Sequence, residues 1–157
     1  IEVFESHPNA ASIAGELAIL NQAASSGVIW DEIINIEIYT PDQEEFVYDF
    51  TVPGNQTFMT DYGVIVHNTL NSVTYETEII VRDKAGEVQK IQIGDFIEGK
   101  IKMATKTEYY KEKDTTYSEV DDYYEIPSCT EDGEMLWKRI EAVTLFKSII
   151  ILIFLVN

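Results

Sequence analysis

The chain has 157 residues, 45% of them hydrophobic, enough for a packed core in one domain or in two small halves of one. Its 28 acidic residues against 11 basic ones give a formal charge of −17, and an acidic surface repels phosphate. Nucleic-acid gripping and attachment to an anionic membrane are therefore disfavoured. Every Lys and Arg lies at or after Arg82, so residues 1–81 carry acids alone, which suggests two segments of different origin. A lone cysteine, Cys129, excludes an internal disulfide framework and a Cys cluster for zinc, so a reducing, cytoplasmic setting is expected. Ile1 opens the chain with no basic stretch before an apolar run, which offers no signal peptide to read.

In chain order, Ser6-His7-Pro8 followed by Ala10, Ile13, Ala14, Leu17, Ala18, Leu20 and Ala24 predicts a capped helix that stops at Ser25-Ser26-Gly27. From Val28 to Val66 the texture is that of strands. Ile34 to Tyr39 alternates, Thr40-Pro41-Asp42 turns, and Phe46 to Val52 alternates again; Pro53-Gly54-Asn55 breaks the run, and Asp61-Tyr62-Gly63 turns into Val64-Ile65-Val66. A β-meander is the expectation. After Ser72, Glu78 to Arg82 and Glu87 to Ile93 read as strands, and Gly94-Asp95-Phe96-Ile97 as the start of a short helical turn. Residues 100–122 are polar, rich in Tyr and without periodicity, so an exposed insertion or mobile loop is expected. Tyr123 to Thr130 and Glu134 to Phe146 predict a hairpin across Glu131-Asp132-Gly133. The closing run of eight apolar residues from Ile149 to Val156 is too short to span a bilayer as a helix, for which roughly 20 are needed, and reads as a buried strand.

Two stretches together resemble inteins. Glu45 to Met59, leading through Gly63-Val64-Ile65-Val66 to His67-Asn68-Thr69, looks like the two consecutive C-terminal intein motifs at their usual separation. Ser72 to Val81, continuing to Ile93-Gly94-Asp95-Phe96, resembles an intein N-terminus: a nucleophile first, then an acidic-Thr pair at Glu76-Thr77, then an Ile-Gly-Asp turn. The likeness covers residues 27–96 and, more loosely, 123–144. It implies an all-β, horseshoe-shaped Hint fold with one N-terminal helix, a C-terminal half over 1–68, an extein-like bridge over 69–71 and an N-terminal half over 72–157. The order is inverted, because an intein runs from its nucleophile to its Asn. A permuted domain, two neighbouring inteins and a split pair arranged to cyclise the bridge would all give this string.

The residue types suit the chemistry that the resemblance implies. The side-chain nitrogen of Asn68 can attack its own carbonyl, closing a five-membered succinimide and releasing Thr69; Asp lacks that nitrogen and Gln makes a larger ring. His67, next in sequence, is the implied general acid for the leaving amine. Thr69 resembles the residue whose hydroxyl takes over an acyl chain, and Ser72 the one whose hydroxyl attacks the carbonyl of Asn71. Asp49 stands where many inteins place an acidic or thiol group that couples the two junctions. Gln56 stands where the family often has a second histidine, and it cannot shuttle a proton near neutral pH. The chain has only His7 and His67, so the internal Thr-x-x-His that usually activates the upstream junction is missing after Ser72, and a slow or inert Ser72 junction is expected.

Single-turnover autoprocessing without metal, nucleotide or other cofactor is the leading expectation. Its partners would be the flanking extein sequences and possibly a complementary intein half, with no nucleic acid and no membrane. A homing endonuclease needs a long insertion and a basic face, for which there is no room. The competing expectation is a catalytically incomplete split-intein fragment that serves as a β-rich binding module. Cys129 reads as a small packing residue.

Overall fold

The computed structural model describes residues 14–29, 31–42, 45–67, 72–148 and 151–156. Helix α1 (Ala14–Ser25) ends where expected: the Ser25 hydroxyl donates to the Asn21 carbonyl at 2.7 Å, and the Gly27 N–H reaches the Gly133 carbonyl at 2.9 Å. Its expected cap at Ser6-His7-Pro8 lies outside the described residues. Strands β1 (Ile33–Tyr39), β2 (Glu45–Thr51), β3 (Thr57–Met59), β4 (Ile65–His67), β5 (Val73–Thr74), β6 (Glu78–Asp83) and β7 (Val88–Gln92) follow. Helix α2 (Ile93–Met103) then leads to β8 (Thr107–Tyr110), β9 (Thr115–Glu119), β10 (Tyr124–Cys129), β11 (Met135–Arg139), β12 (Ala142–Ser148) and β13 (Ile151–Val156). The fold is all-β with an N-terminal helix; α2 extends the short helical turn expected at Gly94 to eleven residues.

The strands before Val66 are those expected, but they do not form a meander. Only β3 and β4 pair with each other as a hairpin. β2 lies inside a five-stranded sheet of order β5-β2-β12-β9-β8, and β1 pairs with β13 alone. The reason is burial: Val47, Tyr48, Asp49 and Phe50 are all buried, so β2 needs covered neighbours on both edges and both faces. Those neighbours come from beyond residue 71. β12 runs antiparallel to all of β2, from Thr51↔Ala142 to Glu45↔Ser148, and α2 packs against β2 and β12. Phe50 meets Phe58 edge-on at 5.1 Å and Phe96 at 5.8 Å, so one ring joins the early strands to α2.

The second sheet has the order β11-β10-β6-β7. The hairpin expected across Glu131-Asp132-Gly133 is β10–β11, but the run after it breaks at Ile140-Glu141 and β12 crosses into the five-stranded sheet. Residues 100–122 hold more order than their lack of periodicity suggests. The β8–β9 hairpin occupies Thr107 to Glu119, and β9 pairs with β12. β8 is the exposed edge and β9 lies between it and β12; Thr and Tyr dominate both strands, so β-branching and aromatic content set them where apolar alternation is lacking. The alternation of β1 does not mark a buried face either: all seven residues are exposed, because its one strand partner is β13.

The Ile93-Gly94-Asp95 turn has a steric cause. A Cβ on Gly94 would lie 2.1 Å from the Tyr75 ring, the Gly94 N–H donates to the Tyr75 carbonyl at 3.1 Å, and the Tyr75 hydroxyl donates to Asp95 at 2.6 Å. The Thr77 carbonyl accepts the Ile93 N–H at 2.8 Å, which closes the junction of the β5–β6 turn with α2.

Truncating the ring that ties the two parts of the core together, Phe50→Ala, is expected to cost about 3–5 kcal/mol. Urea unfolding followed by intrinsic fluorescence should show a single transition moved to lower denaturant; two separate transitions would mean that the early strands and α2 do not share one core.

Candidate functional site

Two of the six candidate residues, Asn68 and Thr69, lie outside the described residues; the elements that lead to them are described. His67 is the last residue of β4, half-buried and directly opposite Thr57 of β3. The hairpin holds its position through both strands: Phe58 and Val66, also opposite each other, are buried in the main core. At its turn, Thr60 bridges Ile79 of β6, and the Asp61 N–H donates to the Glu78 carbonyl at 2.8 Å. Lys90 of β7 reaches Asp61 at 2.8 Å and Glu78 at 2.6 Å, so a base from the later segment neutralises an acid of the base-free early one.

Asp49 lies in β2, and Ser72 directly precedes β5, the strand that pairs with β2. β2 pairs with β5 at Val47↔Thr74 and Tyr48↔Val73, and the pairing ends one residue short of both Asp49 and Ser72. Asp49 is 2% exposed and its Oδ1 accepts the Phe50 N–H at 2.8 Å, which offsets part of the cost of burying a carboxylate. Ser72 is half-buried at the entry to β5. Gln56 is not gathered inward. It is exposed, holds a left-handed φ of 55°, and its N–H donates to the Val52 carbonyl at 3.2 Å, so it closes the turn that launches β3.

Beside β5 lies an open depression of about 320 Å³ lined by Glu45, Tyr48, Thr74, Tyr75 and Glu98, among others. Burial, and then the hydrogen bond it donates to Glu98 at 3.0 Å, pushes the Tyr48 phenol up; the bond to Asp95 raises Tyr75 to about 12. Both phenols are donors at neutral pH, with their protons committed to carboxylates.

A cluster that the sequence did not single out borders the His67 strand pair. The Thr57 hydroxyl lies 2.9 Å from Ser128 Oγ and 3.0 Å from the Cys129 carbonyl, and it accepts the Cys129 N–H at 3.3 Å. Ser128 is wholly buried. Among the described residues, no group of three or more His, Cys, Asp or Glu side chains is arranged to hold a metal ion, and no helix is long and apolar enough to cross a membrane.

Comparison with known proteins returns short segments of two large ones. The chain is 39% identical over 80 residues to the DNA-directed RNA polymerase subunit Rpo1C of Methanocaldococcus jannaschii, which is 51% of this chain and 9% of that subunit. It is 45% identical over 51 residues to the replicative DNA helicase DnaB of Rhodothermus marinus, covering 32% of this chain and 5% of the helicase. The chain thus spans less than a tenth of the length of either relative. No protein-family model and no solved structure matches it.

Cys129 is buried, and that burial pushes its thiol up, with Sγ donating to the Thr130 carbonyl at 3.2 Å. A raised thiol pKa means less thiolate at pH 8. Modification by a disulfide dye at that pH should therefore be at least tenfold slower in the native chain than in urea. Equal rates would place the thiol at the surface.

Proposed function

We propose that this chain is intein-type autoprocessing machinery that breaks its own backbone at the Asn68–Thr69 bond. The observation that carries the reading is the sharing of one sheet by the two motif-bearing segments. β2, with Asp49, pairs with the strand that Ser72 opens, and β4 ends on His67 in a hairpin docked on the same core. A string with its two junction motifs in inverted order has no need to bring them together unless the junctions belong to one domain or to copies of one fold.

The comparisons support the same reading. A polymerase subunit and a helicase have little in common, yet each shares with this chain a segment that is 9% or 5% of its own length. An inserted element carried by unrelated hosts produces that pattern. A fragment of polymerase machinery, the reading that the first match alone favours, leaves the second without a cause.

On this reading the side-chain nitrogen of Asn68 attacks the Asn68 carbonyl carbon, the C–N bond to Thr69 breaks, the leaving amine takes a proton from the His67 imidazole, and the proton shed by the attacking nitrogen replaces it. The products are residues 1–68 ending in a succinimide and a fragment beginning at Thr69, with no change in summed mass until water opens the ring. Ser72 stands for the upstream nucleophile: its hydroxyl attacks the Asn71 carbonyl carbon, the C–N bond to its own backbone nitrogen breaks, and an ester and a free amine result; Asp49 lies in the strand that pairs with β5, and Thr69 is the acceptor hydroxyl. Without a Thr-x-x-His, the Ser72 step is expected to be the slower one. Hint architecture, the boundaries 1–68, 69–71 and 72–157, and the flanking sequences as partners all belong to this proposal.

Intact mass of the purified chain after incubation tests it, with Asn68→Ala as control. Release of a 1–68 fragment from the wild type and not from Asn68→Ala is the expected result. If both stay whole, with or without refolding from denaturant, the chain is a β-rich fragment whose intein motifs do no chemistry.

A further inference from the structure

We infer that Thr57 is the positioning residue that holds the junction hairpin against β10. The inference rests on the reading that the Asn68–Thr69 bond is the one cleaved. β3 and β4 contribute three residues each, and so short a ribbon does not hold its shape unaided. Its turn end is fixed to β6 through Thr60, Asp61 and Glu78. The open end, where His67 leads into Asn68, lies three residues further along and needs an anchor of its own.

Thr57 is that anchor. It sits directly opposite His67, and side chains opposite each other in an antiparallel pair share a face of the ribbon. A hydroxyl has one proton to give and two lone pairs to receive with, and the geometry uses all three. Thr57 donates to the Cys129 carbonyl, accepts from the Cys129 N–H, and accepts from the Ser128 hydroxyl.

The later strand is shaped to receive it. β10 pairs with β6 only at Tyr124 and Glu125, so beyond Ile126 its edge away from β11 is left to β3. Pro127, with no N–H, lies on that stretch. The Thr130 N–H points to β11, bonding the Glu134 carbonyl at 3.0 Å; by strand alternation the N–H and carbonyl of Cys129 point the other way, towards β3. Thr57 thus satisfies with one side chain an edge that would otherwise need a paired strand, and it couples the His67 end of the hairpin to the segment after Ser72.

The test compares Thr57→Val, which keeps the shape and removes the hydroxyl, with Thr57→Ser, which restores it, and with Ser128→Ala. Amide exchange is measured in the uncleavable Asn68→Ala background, and release of the 1–68 fragment in the otherwise native chain. Thr57→Val is expected to speed exchange at β3 and β4 at least tenfold while β2 and α2 stay protected, and to slow release about tenfold. Thr57→Ser should restore both. Ser128→Ala should fall between, because two of the three hydrogen bonds survive. Unchanged exchange in Thr57→Val, or full-rate release from it, overturns the inference and leaves the cleavage reading standing. A wild-type chain that never cleaves overturns that reading, and the exchange comparison then decides by itself whether Thr57 anchors the hairpin.

Discussion

The arrangement depends on one strand. β2 is hydrogen-bonded on one edge to β5 and on the other to β12, both of which follow residue 71, and it brings Tyr48 and Phe50 into a core completed by Ile93, Phe96, Ile97 and Val143. A strand buried on both faces has little freedom in register, because a slip of one residue would exchange Tyr48 and Phe50 with Val47 and Asp49. The same strand carries Asp49 and pairs, at Tyr48↔Val73, with the strand directly after Ser72.

How much of this was legible follows from what sequence periodicity encodes. Alternation located β1 and β2, runs of strand-forming residues located β6 and β7, and the turn residues located their ends, because all are local properties. Pairing is not local: β2 meets β12 roughly a hundred positions away, and a meander is simply the cheapest guess in loop-closure terms. Residues 107–119 defeated the reading for a different reason. β8 is an exposed edge, and β9, paired between β8 and β12, buries Ser118 and half-buries Thr and Tyr, so the apolar alternation that marks a half-buried strand is missing. The early helix and the β10–β11 hairpin were legible because a Ser-Gly stop and a Glu-Asp-Gly turn act on the backbone directly.

For the site, the motif residues were legible as identities and the supporting contacts were not. Gln56 reads as a residue that cannot shuttle a proton where the family often has a histidine, but its backbone does the visible work, holding a left-handed conformation that non-glycine residues rarely adopt. Thr57 offered no signal of its own. Only counting back across the Met59–Ile65 turn would have put it opposite His67, and nothing in the sequence shows that β10 leaves an open edge there. The separation of charge along the chain was a better guide: acids of a base-free segment must find their cations elsewhere, and Asp61 finds Lys90.

A chain that acts on its own backbone has requirements unlike those of a turnover enzyme. The reacting bond is covalently delivered, so the effective concentration of the attacking group is set by geometry, and misplacement by about 1 Å can cost a hundredfold. No affinity for a free substrate is needed; what is needed is a short hairpin that cannot tilt. On the proposed reading that demand explains why the β3–β4 ribbon is fixed at both ends, by Asp61 and Lys90 at the turn and by the Thr57 hydroxyl beside His67. Both anchors reach into residues that follow Ser72, so the position of the hairpin depends on the later segment. On that same reading, cleavage geometry requires both segments of the chain to be in place.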